Sequence, residues 1–150
     1  MPDLKLLALD AEDLGVLAIQ LQDAIVQMGE MAYVEREKRF ALLCNRFDAA
    51  EAPQEKRRRA GFTRRRAGLR FERVLGVKVS GIDRTNSKRF LVLLSVMYES
   101  LDGQEPEGHI TLVFAGGGAV RLHVECIEAE LKDLGAAWRT SRKPAHDQGE

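Results

Sequence analysis

The sequence predicts an α+β domain: a mainly antiparallel, strongly bent sheet of about six strands with a helix at each end. Three observations predict it. Apolar residues recur at helical spacing only near the two ends of the chain, in DAEDLGVLAIQLQDAI and IEAELKDL. The long middle alternates with period two or is apolar on both faces. The connections between these stretches are turns and loops with no crossover helix, which argues for antiparallel pairing. A split barrel of the pleckstrin-homology type, closed at one end by the C-terminal helix, is one compact solution.

Each element has its own reason. Leu4–Leu9 is a short strand or an extended lead-in. Asp10 suits an N-cap, and Asp13 faces the free N–H groups and the positive helix end. Leu14, Leu17, Ala18, Leu21 and Ile25 then form one apolar stripe, so a helix is expected over about 11–22. IVQMGEMAYVE and RFALLCNRF are strands joined by the polar EREK, and Gly29 marks a bulge in the first. In the stretch 69–80, Leu69, Phe71, Leu75, Val77 and Val79 share one face of a long strand. IDRTNSK is turn chemistry, and RFLVLLSVMY is apolar on both faces, as a central strand should be. HITLVF and AVRLHVEC flank AGGG, whose glycines allow a tight hairpin. Ile127, Leu131 and Leu134 at helical spacing predict the final helix, with Gly135 at its C′ position. The expected shared core is Val120, Leu122, Val124, Ile127, Leu131 and Leu134 with Phe90, Val92, Leu94 and Phe114.

With 150 residues, 45% of them apolar, the chain suits one domain over 1–140, with a disordered tail at 141–150. No apolar run approaches the ~18 residues of a membrane span. Cys44 and Cys126 form no ligand spacing and read as reduced thiols in a cytoplasmic protein.

The formal net charge is zero, yet the charge is unevenly placed. Residues 56–73 hold nine of the 23 basic residues and one acid, Glu72, leaving the rest of the chain at −8. The pentad RRRAG occurs twice, at 57–61 and 64–68, within a polar stretch expected to be a loop over 49–68. Arginine matches phosphate through its planar fork of donors. Lys56, Arg57, Arg58, Arg59, Arg64, Arg65, Arg66 and Arg70 are therefore the candidate polyanion-binding residues. The alternative target is the acidic body itself, where Glu125, Glu128, Glu130 and Asp133 cluster, and a third is an anionic membrane surface.

Other candidate chemistry is sparse. His123, Glu125 and Glu128, with His109 if its strand pairs with that of His123, lack a convincing ligand count for zinc, so neither a metal nor another cofactor is expected. AGGG lacks a phosphate-loop frame, Cys44 has no histidine or acid at a recognisable local spacing, and the serines sit in no nucleophile elbow.

LKLLALDAEDL, LQDAIVQMGEMAY, KRFALLCNRFD, RRAGLRFERVLGVK and ITLVFAGGGAVRLHVECIEAELKDLGAAW together resemble the alphaproteobacterial proteins grouped as domain of unknown function 2948. The resemblance covers roughly 4–140, and VECIEAEL with the following DLG and Trp138 is its most specific part. It implies a bacterial cytosolic protein of this size and no reaction, and it transfers no site residue. The family pattern has a single arginine run, so RRRAGFT is an extra copy here. The resulting expectation is a non-catalytic binding or accessory module. Its alternatives are a nucleic-acid-associated protein using residues 56–73 and, third, a small enzyme. A protein partner is left open.

Overall fold

The computed structural model describes residues 3–47, 62–103, 105–135 and 138–140. Among these residues the elements are β1 (Lys5–Ala8), α1 (Ala11–Gln20), β2 (Ile25–Val34), β3 (Arg39–Phe47), β4 (Phe62–Phe71), β5 (Val74–Ser80), β6 (Phe90–Ser100), β7 (Gly108–Phe114), β8 (Ala119–Val124), β9 (Ala129–Asp133) and β10 (Trp138–Thr140). Nine strands follow one antiparallel path, β1-β9-β4-β3-β2-β6-β7-β8-β5, and β10 pairs with β4 beside it. The sheet is open and ends at β1 and β5.

The expected fold class is thereby corrected. The described residues hold ten strands instead of about six, one α-helix instead of two, and an open sheet instead of a split barrel. The C-terminal helix does not form: Ala129–Asp133 is a strand that pairs with both β1 and β4. Its buried residues alternate (Ala129, Leu131, Asp133), and the acid in that series hides the period-two pattern that would have betrayed a strand.

The N-terminal helix follows its sequence logic. The Asp10 carboxylate accepts a hydrogen bond from the Asp13 N–H at 2.8 Å, and Leu14, Leu17 and Leu21 turn into the core. A 3-10 turn at Glu35–Glu37 links β2 to β3, with Lys38 left-handed at φ 54°. The bulge expected at Gly29 is present as a register shift between Val26 and Met31. A Cβ at Gly29 would lie 2.8 Å from the Ser87 carbonyl oxygen, so only glycine lets the 81–89 connection approach this strand. Gly116 and Gly117, at φ 92° and 95°, make the β7–β8 hairpin turn.

The long strand expected over 69–80 is broken into β4 and β5 at Glu72–Arg73, where Arg73 takes φ 61°. The Glu72 N–H donates to the Glu128 carbonyl and the Glu125 N–H donates to the Arg73 carbonyl. The β4–β5 and β8–β9 connections therefore turn together at one corner.

One core joins the whole sheet and α1. Val120, Leu122, Val124, Ile127, Leu131 and Phe114 are buried as expected. Leu134 and Leu94 are exposed, and Phe90 and Val92 are only half-buried. On β6 the core face is Leu91, Leu93 and Val96, because a register shift between Leu93 and Ser95 resets the alternation.

The stretch expected as a loop over 49–68 divides. Residues 48–61 lie outside the described residues, and from Phe62 onward the chain is in β4. The expected tail, 141–150, also lies outside them.

Candidate binding surfaces

The second RRRAG pentad is built into the fold. Arg65 stands opposite Arg46 in the β3–β4 ladder, and both guanidinium groups are buried. Two cations facing each other repel, and burial removes the water that would screen them. Asp133, whose side chain is 0% exposed, offsets this. It accepts from Arg46 Nε at 2.9 Å and Arg46 Nη2 at 2.8 Å, and Arg65 Nε lies 3.9 Å away. It also accepts from the Leu4 N–H at 2.8 Å, and Arg46 Nη1 reaches Gln20 of α1. Burial opposes ionisation of Asp133. The hydrogen bonds from Arg46 and Leu4 and the charges of Arg46 and Arg65 outweigh it and hold the carboxyl below the ordinary range.

The other basic candidates are also engaged. Arg64 is buried, with its guanidinium 4.0 Å from the centre of the Phe47 ring. Arg66 pairs with Glu30, and Arg70 with Glu72 and Glu130. Lys56, Arg57, Arg58 and Arg59 lie outside the described residues. Of the acids named as an alternative target, Glu130 meets Arg70, and Glu125 and Glu128 meet Arg73. Asp133 was legible only as part of an acidic cluster; its role as a buried anchor has no motif in the sequence.

At the β4–β5 corner lies a cleft of about 680 Å³ lined by Glu37, Lys38, Arg39, Arg70, Glu72, Arg73, Glu125 and Glu128. It holds four cations and four anions, and these pair with one another: Arg39 with Glu37 and Glu72, Lys38 with Glu125, Arg73 with Glu125 and Glu128. A ligand entering here must break existing pairs, which disfavours the larger cleft as a binding site.

A smaller cleft of about 330 Å³ lies on the outer face of β2, β3, β4 and β9. Its floor is Ala32, Ala41 and Gly68, with Leu43 and Leu134 as walls. A Cβ on Gly68 would sit 3.4 Å from Leu134, so glycine keeps the floor open. Glu30, Arg70, Glu130 and Lys132 form the rim. The first three have partners, whereas Lys132 has none among the described residues.

His109 and His123 are brought together: they are register partners in β7–β8, with ring centres 5.4 Å apart. His123 Nε2 is 2.7 Å from a Glu107 carboxylate oxygen, while Glu125 and Glu128 turn away to Arg73. Among the described residues no group of three or more His, Cys, Asp or Glu is placed to hold a metal. Cys44 and Cys126 are free, and burial pushes the Cys44 thiol up to about 12.

These features define a small, mostly antiparallel β protein with a buried polar anchor and two distinct outer faces. A family model described as protein of unknown function (DUF2948) matches residues 4–146, and the chain belongs to this family. No curated protein and no solved structure matches the chain. Among the described residues no helix is long and apolar enough to cross a membrane.

Proposed function

We propose that the protein is a non-catalytic binding module of the cytoplasm. It takes an amphipathic anion, an apolar body ending in a carboxylate, in the cleft over β2, β3, β4 and β9. The observation that carries this reading is the apolar floor of Ala32, Ala41 and Gly68 between Leu43 and Leu134, on a face that otherwise bears charge. Its volume of about 330 Å³ is at the small end of ligand sites. Lys132, the rim charge left unmatched among the described residues, supplies the reason for an anionic end. The raised Cys44 thiol and the mutually paired carboxylates of the corner cleft support binding over catalysis. The free cysteines support a reducing compartment.

Polyanion contact by the arginine-rich segment has narrower support. The pairing of Arg65, Arg66 and Arg70 and the stacking of Arg64 favour structural roles for these four, which leaves Lys56–Arg59 as its basis.

The test is an NMR titration with octanoate. Saturable shifts at Ala41, Leu43, Gly68 and Lys132, weakened by Lys132→Gln and removed by Leu43→Gln, are the expected result. Shifts scattered over the molecule, or equal affinity in both variants, would overturn the reading.

A further inference from the structure

The outer face of β5, β8, β7 and β6 carries a further cation pair besides Arg46 with Arg65 and Lys5 with Lys132. Lys78 stands directly opposite Arg121 in the β5–β8 ladder. Thr111 continues that row on β7, and His123 and His109 occupy the next row on β8 and β7. Neighbouring strands lie roughly 5 Å apart and the two rows roughly 7 Å apart, so side chains from both rows can reach one small group.

Like charges directly opposite one another destabilise a ladder. The same arrangement occurs at Arg46 and Arg65, and there the carboxylate of Asp133 sits against both cations. Lys78 and Arg121 have no such carboxylate: neither makes an ion pair or hydrogen bond among the described residues. Among the described residues, the position that Asp133 fills beside Arg46 and Arg65 has no counterpart beside Lys78 and Arg121. We propose that the outer face formed by Lys78, Arg121, Thr111, His109 and His123 binds a small phosphate-bearing molecule, whose dianionic oxygens take the bridging place.

The chemistry fits each group. Arg121 offers a fork for two phosphate oxygens, Lys78 a point charge and Thr111 a hydroxyl donor. His109 makes the site proton-linked. Burial first, then the charges of Arg121, His123 and Lys78, hold His109 below the ordinary imidazole range, against the opposing pull of Glu99. A bound anion reverses the dominant charge and favours the imidazolium. Glu99, the register partner of His109, and Glu107, bonded to His123, bound the patch on one side. They confine it to a single phosphate group, because an extended nucleic-acid backbone running along these strands would meet both acids. Glu125, further along β8's exit, is occupied by Lys38 and Arg73. This site shares no residue with the apolar cleft, so it stands whether or not the cleft binds a carboxylate.

The experiment is an NMR titration of the full chain with sulfate, whose charge is constant across the window, at about pH 6 and about pH 8, where imidazoles titrate. Phenyl phosphate and a single-stranded oligonucleotide are run in parallel. The expected result is saturable shifts at Lys78, His109, Thr111, Arg121 and His123. Sulfate affinity should rise about threefold or more toward the lower pH, as a proton-linked site requires. Lys78→Gln with Arg121→Gln should abolish binding while the remaining amide spectrum stays unchanged, and His109→Gln should flatten the pH dependence. No saturable shift, or equal affinity in the double variant, overturns the proposal. Binding that is absent with phenyl phosphate and grows with oligonucleotide length also overturns it, in favour of nucleic acid.

Discussion

Like-charged residues face each other across antiparallel ladders at Arg46 with Arg65, at Lys78 with Arg121 and at Lys5 with Lys132, where Lys5 is paired to Glu130. The first is buried and held by Asp133; the second stands on an exposed face with no ion-pairing carboxylate among the described residues. A buried pair of cations cannot persist without a counter-ion, because the interior offers no water to screen it. An exposed pair can, at a small cost that solvent reduces. The first arrangement is therefore a requirement of the fold, and the second is a surface available to a ligand. Arg65, from the second RRRAG pentad, falls on the first side of this divide.

The largest way to break the comparison is to remove the counter-ion. Asp133→Ala removes the carboxylate set against buried Arg46 and Arg65 and releases the Leu4 N–H, which ties the strand edge at β1. Breaking a buried pair in this way costs about 3–5 kcal/mol. Urea unfolding should show a midpoint loss of that order. A midpoint close to wild type would mean that Asp133 holds nothing together.

Next in size is a comparison within one segment. Leu131 is fully buried, whereas Leu134 is 52% exposed. Leu131→Ala should destabilise by roughly 2–5 kcal/mol, as buried leucine truncations do. Leu134→Ala should stay within about 0.5 kcal/mol, as exposed substitutions do. Equal losses would favour a helix over 127–134, in which both leucines share one face.

Much of the chain was legible because its apolar residues keep one period. The Asp10 cap, the bulge at Gly29, the β2–β3 hairpin and the glycine turn at 115–118 all follow from local rules. The two segments that were not legible, β4 and β9, each put a charge into the buried cluster around Arg46, namely Arg65 and Asp133. In β4 the core series runs Arg65, Ala67, Leu69, Phe71, and in β9 it runs Ala129, Leu131, Asp133. A charged residue at the end of each series breaks the apolar alternation. The first segment then reads as a polar loop and the second as a helix through Ile127, Leu131 and Leu134. Neither charge is explicable from its own segment, since Asp133 is tolerated inside because Arg46 and Arg65 meet it from other strands. The candidate surfaces were hidden for a related reason. Gly68 and Lys132, or Lys78 and Arg121, become neighbours only through strand register, which no local pattern records.

Acid separates the two halves by a smaller effect. The folded carboxyl of Asp133 lies below its ordinary value of about 3.9, so its contribution is complete above that value and disappears as pH falls through the folded pKa. Stability from urea unfolding should therefore drop more steeply below about pH 4 in wild type than in Asp133→Asn, which cannot titrate there. Parallel profiles would assign acid sensitivity to other carboxylates.

The smallest effect has the opposite sign and tests the exposed pair. Lys78→Glu replaces a repelling partner of Arg121 by an attracting one on an open ladder. Solvent screening keeps the gain small, so the urea midpoint should rise slightly, and the rise should fade as salt is added. The same substitution supplies in place a carboxylate of the kind that Asp133 provides to Arg46 and Arg65. It should therefore compete with any added anion, and sulfate shifts at Arg121 and His109 should vanish although the fold is no weaker. Wild-type sulfate affinity in Lys78→Glu would show that the cation pair does not need bridging. The contrast between the two halves would then be one of burial alone.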